Sequence, residues 1–232
     1  MNTILIGSSR EQKLPSLVLE FTIHQHAKAP VRVIHSYDLS FPVPRDPKNR
    51  SRTGFSFARF AIPKLTGYKG VAAYLECDQL VFKDVAELFS IPFDGATVLR
   101  PANQASVLLI DCEQARWDLD AIIRSLDEGK ISYSDLMENL SCEPAAKVSR
   151  KIPLAWNTLE KYDPKSTALL HYTNMAIQPW RKWGHPLGHL WMGKLKEAMR
   201  AGRISLAVVE EEVRRQYVVR QVAEEARRWS IR

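Results

Sequence analysis

Cysteine is scarce in this chain: Cys77, Cys112 and Cys142 are the three among 232 residues. An odd and widely spaced set excludes a disulfide framework and a zinc ribbon, and it fits a reducing compartment. Long apolar runs are missing as well. The stretch from Ser166 to Trp180 comes nearest to an uncharged span, but it contains His171 and Pro179 and falls short of the ~18 residues a membrane-crossing helix needs. The start, Met1-Asn2-Thr3 before Ile4-Leu5-Ile6, has neither the cationic lead nor the length of a signal peptide, and reads as a mature cytosolic start. Glycine (10) and proline (13) are too few for a collagen-like chain, and no internal repeat is visible. With 45% apolar and 25% charged residues, the composition is that of one folded domain with a sizeable core.

Acids are outnumbered, 26 against 33 lysines and arginines, which gives a net charge of +7. Such a balance attracts anions: nucleic acid, an anionic membrane or a phosphate-bearing substrate. Much of the excess lies in Arg45, Lys48, Arg50, Arg52, Arg59, Lys64 and Lys69, opposed only by Asp46. Pro42, Pro44, Pro47 and Gly54 make the first half of that stretch a loop. A solvated loop and a phosphate-facing loop fit it equally. No RNA-recognition aromatic motif, zinc finger or basic repeat supports nucleic acid.

Short β-type runs alternate with helical ones through the first half. Thr3–Gly7, Val31–His35, Val71–Leu75 and Ser106–Asp111 read as strands. Leu14–Ala27, Phe57–Leu65, Lys83–Phe89 and Glu113–Asp127 read as helices. This order predicts an α/β fold with a mostly parallel central sheet flanked by helices. From Leu187 the chain reads as purely helical: one helix over Leu187–Met199 and a second, unbroken, over Ile204–Trp229. In the second, Val209, Val213 and Tyr217 form one apolar row and Val218, Val222 and Ala226 another.

The chemistry concentrates in Ala73-Tyr74-Leu75-Glu76-Cys77-Asp78-Gln79-Leu80-Val81-Phe82. A hydrophobic strand runs straight into two acids one residue apart. In extended chain, residues i and i+2 face the same way, so Glu76 and Asp78 aim at one point beyond the strand's C-terminal end. Two carboxylates that close repel unless they share a cation. Solvated loop carboxylates are the plainer reading of the same pair.

The flanks narrow the choice. Thr53-Gly54-Phe55-Ser56-Phe57-Ala58-Arg59-Phe60-Ala61-Ile62-Pro63 followed by the acidic strand end resembles glycosyltransferase family 8, which pairs an Arg-bearing helix with an Asp-x-Asp strand. Gln104-Ala105-Ser106-Val107, Pro153-Leu154-Ala155-Trp156-Asn157 and Leu169-Leu170-His171-Tyr172-Thr173 with Gln178-Pro179-Trp180 resemble later landmarks of that family, in order, as in a divergent bacterial-type member. The resemblance implies a GT-A type domain over residues 1–182 with a helical extension, 183–232, packed on it. It implies a nucleotide-sugar donor, usually a UDP-sugar, a manganese (or magnesium) ion, transfer with retention, and a glycan or small hydroxyl acceptor. Glu76, Asp78 and His171 would hold the metal. Gly7, Ser8 and Ser9 would meet the nucleoside, and Cys77, Asn174 and Gln178 would line the donor site. Arg59 would face the diphosphate, while Gln104 and Asp135 would line the sugar pocket.

Each assignment has a plainer counterpart: a core histidine for His171, a surface ion pair for Arg59, a helix N-terminal acid for Asp135. The pattern also departs from the family. Glu76 stands for Asp, Gln104 and Ser106 for Asn and Gly, and Leu136 for a frequent Gln. Asn174 replaces Gly at a loop where a left-handed backbone is expected. Gln178 replaces a Lys and brings no charge, for which Arg181 or Lys182 could substitute. An impaired, sugar-nucleotide or glycan-binding protein on the same fold is therefore the alternative function. The C-terminal helix mixes Arg214, Arg215, Arg220, Arg227 and Arg228 with Tyr217 and Trp229, as in helices that rest on membranes. Glu210, Glu211, Glu212, Glu224 and Glu225 dilute that charge and favour packing on the α/β domain or in a homo-oligomer. A cytoplasmic location follows, with weak peripheral contact to the inner membrane as the variant.

Overall fold

The computed structural model describes residues 1–50 and 53–230. Arg52, one of the basic residues of the 45–69 stretch, lies outside them. The strands are β1 (Asn2–Gly7), β2 (Val31–His35), β3 (Val71–Glu76), β4 (Gln79–Val81), β5 (Val98–Pro101), β6 (Val107–Asp111), β7 (Val148–Ile152), β8 (Thr158–Leu159) and β9 (Leu169–His171). The α-helices are α1 (Lys13–His26), α2 (Ile62–Leu65), α3 (Val85–Phe89), α4 (Cys112–Ala115), α5 (Leu119–Asp127), α6 (Tyr133–Asn139), α7 (Gly188–Arg200), α8 (Leu206–Arg214) and α9 (Arg220–Ser230).

The main sheet has the order β2-β1-β3-β6-β5-β7, and β6 alone runs against both neighbours. It is a mixed α/β fold whose central sheet is mostly parallel and flanked by helices. Period-two alternation sorts the side chains. Leu5, Tyr74 and Leu108, aligned across β1, β3 and β6, pack with Trp117, Ile122 and Ile123 on one face. Ile4, Ile6, Leu75 and Leu109 pack with Leu19 and Ile23 of α1 on the other. α1 is buried on a second side too, because Leu14 and Val18 join Trp180, Trp191 and Val222. Removing a buried tryptophan typically costs ~3–5 kcal/mol, so the C-terminal helices are bound to the rest by large terms.

Two expected helices are broken. Ile204–Trp229 is two helices, α8 and α9, because Gln216 takes a left-handed conformation (φ 63°) and the chain folds back, with Val219 N–H donating to Trp180 O at 2.8 Å. The two apolar rows belong to two helices that face one core. Glu113–Asp127 is likewise split: Arg116 is left-handed (φ 41°) and Asp118 caps α5 through the N–H of Asp120. Each of the five arginines named above pairs with a glutamate: Arg214 and Arg215 with Glu211, Arg220 with Glu224, Arg227 with Glu210, Arg228 with Glu225. Among the described residues, no helix is long and apolar enough to cross a membrane. The basic loop is partly pinned, since Asn49 donates to Leu126 O and the Arg45 N–H to Asp127.

A smaller sheet, β4-β9-β8, begins where the main one ends. β3 stops at Glu76, the chain turns through Cys77-Asp78, and β4 starts at Gln79. β9 lies antiparallel to β4 with His171 opposite Gln79, and Tyr172 N–H donates to Asp78 O at 2.9 Å. This pairing carries an imidazole from far along the chain to the acidic turn.

Candidate active site

Glu76, Asp78 and His171 each offer a ligand atom, and the three atoms lie within 4.8 Å of one another. His171 Nε2 stands 3.2 Å from Asp78 Oδ1 and 3.7 Å from Glu76 Oε2. His171 is buried and Asp78 nearly so. The tautomer of His171 follows from its neighbours. Asn103 Oδ1 accepts from the Gln104 N–H and from Asn157 Nδ2, which turns Asn157 Oδ1 toward the imidazole, 3.0 Å from Nδ1. Nδ1 therefore carries the hydrogen, and Nε2 faces the carboxylates with its lone pair or with a second proton.

Burial opposes that second proton, but Asp78 and Glu76 outweigh it and hold the imidazole pKa above its ordinary value. Burial likewise raises the carboxyl pKa of Glu76, against the pull of Arg59. Asp78 Oδ1 is buried, and beyond its ion-pair contact with His171 Nε2 it has no hydrogen-bond partner. An unsatisfied carboxylate oxygen, a second carboxylate and an imidazole lone pair fit a divalent cation that accepts both oxygen and nitrogen.

Arg59 sits on a short 3-10 turn, Ala58–Ala61, with 6% of its surface exposed. Its Nε donates to Ser56 O (3.1 Å), NH1 to Ala105 O (2.7 Å), and NH2 to Glu76 Oε1 (3.0 Å) and Tyr74 OH (3.4 Å). Its guanidinium carbon lies 4.6 Å from the centre of the Tyr74 ring. These bonds occupy it as the clamp of Glu76 and leave it little to give a diphosphate. Gly7 pairs with Glu76 across the sheet, and a Cβ there would come within 2.7–2.8 Å of the Tyr74 ring. Glycine at this position lets Tyr74 lie beneath Arg59.

A cavity of about 360 Å³ opens beside the cluster, lined by Arg59, Glu76, Gln104, Ser106, Tyr133 and Glu138, among others. Gln104 is thus brought to the site. Asp135 does not line this cavity: it is exposed, and its carboxylate accepts from Ser132 Oγ at 2.6 Å in the cap of α6. Leu136 is buried in the core, and the cavity face of α6 is Tyr133, Ser134, Met137 and Glu138. That face is legible as helical spacing once α6 is placed. Spacing alone gives Asn157 and Asn103 no role, and only the Trp-Asn pattern points toward the first.

Gln178 is fully buried, and its Nε2 donates to Asp78 Oδ2 (2.9 Å) and Tyr172 O (3.0 Å). Asn174 is not among the residues of positive φ; its Oδ1 accepts from the Ala176 N–H and its own N–H donates to Glu160. The expected left-handed turn is replaced by this local bond. Ser8 is buried and exchanges bonds with Ser36, while Ser9 leads the turn at Arg10–Gln12. The Cys77 side chain points into the core with Ile4 and Ile6, and burial holds its thiol well above the usual range, so only its backbone belongs to the acidic turn. A second cavity, of about 770 Å³, lies between Glu11, the loop of Met175 and Ala176, Arg181, and the turn joining α8 to α9.

No family model and no curated protein matches the chain by sequence. Solved structures do match in fold. The glycosyltransferase GlyE of Streptococcus pneumoniae superposes with a TM-score of 0.61 at 14% identity, over 87% of this chain and 64% of that one. The galactosyltransferase LgtC, in complex with donor and acceptor sugar analogs, gives 0.59 at 14% identity, over 88% of this chain and 100% of that one. The bifunctional glycosyltransferase WbbM gives 0.60 at 13%, over 83% of this chain and 49% of that one. The chain thus spans less than two thirds of GlyE and about half of WbbM. At these identities the likeness establishes a shared fold.

Proposed function

We propose that this protein is a metal-dependent retaining glycosyltransferase of GT-A type, close to family 8. It would move a hexose from a nucleotide-sugar, a UDP-sugar by preference, to a glycan or small hydroxyl acceptor. The carrying observation is the convergence of Glu76, Asp78 and His171, with Asp78 Oδ1 buried and facing His171 Nε2 at 3.2 Å. The glycosyltransferase folds of the neighbours support the same reading.

In this reading Glu76, Asp78 and His171 hold a divalent cation, manganese by preference, which supplies charge neutralisation for a departing diphosphate. Asn157 fixes the imidazole tautomer, Arg59 orients Glu76, and Gln178 orients Asp78. Gln104, Ser106 and the cavity face of α6 surround the sugar. The bond from anomeric carbon to phosphate oxygen breaks with its electron pair on that oxygen. The acceptor oxygen bonds to the anomeric carbon on the same face, and its proton passes to the departing phosphate. No nucleophile from the Asp135-Leu136 pair enters, because Asp135 is spent in the cap of α6 outside the cavity and Leu136 has no nucleophilic group.

The test is turnover of a panel of nucleotide-sugars with manganese, by wild type and by Asp78→Asn. Metal-dependent turnover that Asp78→Asn abolishes, with its far-UV spectrum intact, is the expected result. Wild-type binding without turnover would identify a nucleotide-sugar-binding protein instead. Metal-independent turnover would remove the cluster's assigned role.

A further inference from the structure

The cavity of about 360 Å³ opens directly on the carboxylate-imidazole cluster, because Glu76 belongs to both. Ligand cavities run from roughly 300 to 1,000 Å³, so this one suits a single sugar ring. Its character follows from which polar groups are already engaged. Among the described residues that line it, Arg59 is the sole cation, and its guanidinium bonds to Glu76, Ala105, Ser56 and Tyr74. Ser106 Oγ faces Asn157 and His171, and Ser56 Oγ meets Thr53 Oγ1.

Two lining groups keep unused capacity. The side-chain amide of Gln104 has no partner among the described residues, and the Glu138 carboxylate has only Ser134, whose Oγ donates to Oε1 at 3.0 Å. Glu138 is itself held through its backbone. Arg100, on β5 and only 6% exposed, donates through NH1 to Glu138 O at 2.6 Å and through Nε to Pro101 O. This buried cation fixes the last turn of α6 and leaves the carboxylate without an ion pair. With Glu76 bonded to Arg59, Glu138 is the carboxylate on this wall that no cation answers.

A carboxylate accepts from sugar hydroxyls in charge-assisted hydrogen bonds, and it repels a second carboxylate. We propose that Glu138 selects the donor sugar: it accepts from the hydroxyls of a neutral hexose and rejects a hexuronate, whose own carboxylate would enter the same cavity. Gln104 adds a neutral donor and acceptor to that wall. The inference names the sugar class within the glycosyltransferase reading and rests on that reading.

The experiment is calorimetric titration of wild type, Glu138→Gln and Glu138→Lys in saturating manganese. The ligands are UDP, UDP-glucose, UDP-galactose, UDP-glucuronate and UDP-galacturonate. Both variants should fold, because Glu138 is exposed and a lysine in the last turn suits the C-terminal end of α6. Wild type should bind the neutral member of at least one pair about 10- to 100-fold tighter than its uronate. Glu138→Gln should narrow that ratio by about 10-fold and Glu138→Lys should reverse it, with UDP alone bound as by wild type. A ratio unchanged in both variants, or a wild type that binds each uronate as tightly as its neutral partner, would overturn the role of Glu138 and leave the wider reading standing. So would a loss in the variants shared equally by UDP and every UDP-sugar. Wild type that binds neither UDP nor any UDP-sugar would overturn both.

Discussion

Asn157→Ala tests how the site is built, because Asn157 touches no cation yet decides which nitrogen of His171 is free. The side chain is fully buried. Its Oδ1 meets His171 Nδ1 at 3.0 Å and Ser106 Oγ at 3.2 Å, and its Nδ2 donates to Asn103 Oδ1 at 2.9 Å. Truncation removes these three bonds and leaves the buried imidazole N–H only Ser106 Oγ, at 3.3 Å. At about 1 kcal/mol for each of the three lost bonds, the cost is ~3 kcal/mol. For a chain of this size that lowers Tm by roughly 6–12 °C.

Metal binding should suffer separately. Loss of a partner that fixes a ligating histidine typically costs about 10- to 100-fold in metal affinity. Asn157→Asp keeps an acceptor opposite Nδ1, so it should hold manganese nearly as tightly as wild type while losing stability to the buried charge. The assay is manganese titration by calorimetry at pH 7.5, with Tm measured alongside. If Asn157→Ala binds manganese as wild type does while its Tm falls, the tautomer argument is wrong and Asn157 is a packing residue only.

Arg59→Lys and Arg59→Ala should weaken manganese binding, not merely nucleotide binding, because Arg59 NH2 holds Glu76; unchanged manganese titrations in both would refute this. Manganese affinity should fall as pH drops, and from a higher pH than free imidazole would give, since the pKa of His171 is raised and the metal needs its neutral form. In the metal-free protein the same raised pKa stabilises the fold below pH ~6.5 and loses that contribution as pH rises through the folded value, so the manganese-induced Tm shift should grow from pH 6 to 8. Gly7→Ala should destabilise by ~1–3 kcal/mol in urea unfolding, because its methyl would overlap the Tyr74 ring; a variant as stable as wild type would show that the ring has room to move.

The strands of the first half were readable because β1, β2, β3 and β6 are short apolar runs ended by turns. β7 (Val148–Ile152) was not, since its middle is Ser149-Arg150-Lys151 at a sheet edge, and edge strands need no apolar alternation. The helix breaks at Arg116 and Gln216 were hidden because neither residue is Gly or Asn, so no local preference marks a left-handed turn there. In the site, the acidic pair and His171 could be proposed from motifs. What the motifs could not show is how partners are spent. Arg59 reads as a phosphate clamp in sequence and is a clamp for Glu76 in space. Asp135 reads as a pocket acid and is part of a helix cap. Hydrogen-bond partners come from tertiary contacts, which one-dimensional spacing does not encode.

Glu76 and Gln178 belong to one arrangement. A glutamate reaches a methylene further than an aspartate, and here that length lets one carboxylate oxygen meet Arg59 NH2 at 3.0 Å while the other lies 3.7 Å from His171. Arg59 is thereby drawn into the site's floor. A lysine at 178 would bring an ammonium into a fully buried position against Asp78 Oδ2, where it would compete with a cation for that oxygen. The neutral Gln178 donates to the same oxygen without adding charge, so Asp78 stays oriented with Oδ1 toward His171. Gln178→Lys alone should therefore weaken manganese binding, measured by titration as above. Tighter manganese binding in that variant would show that the amide does not serve Asp78.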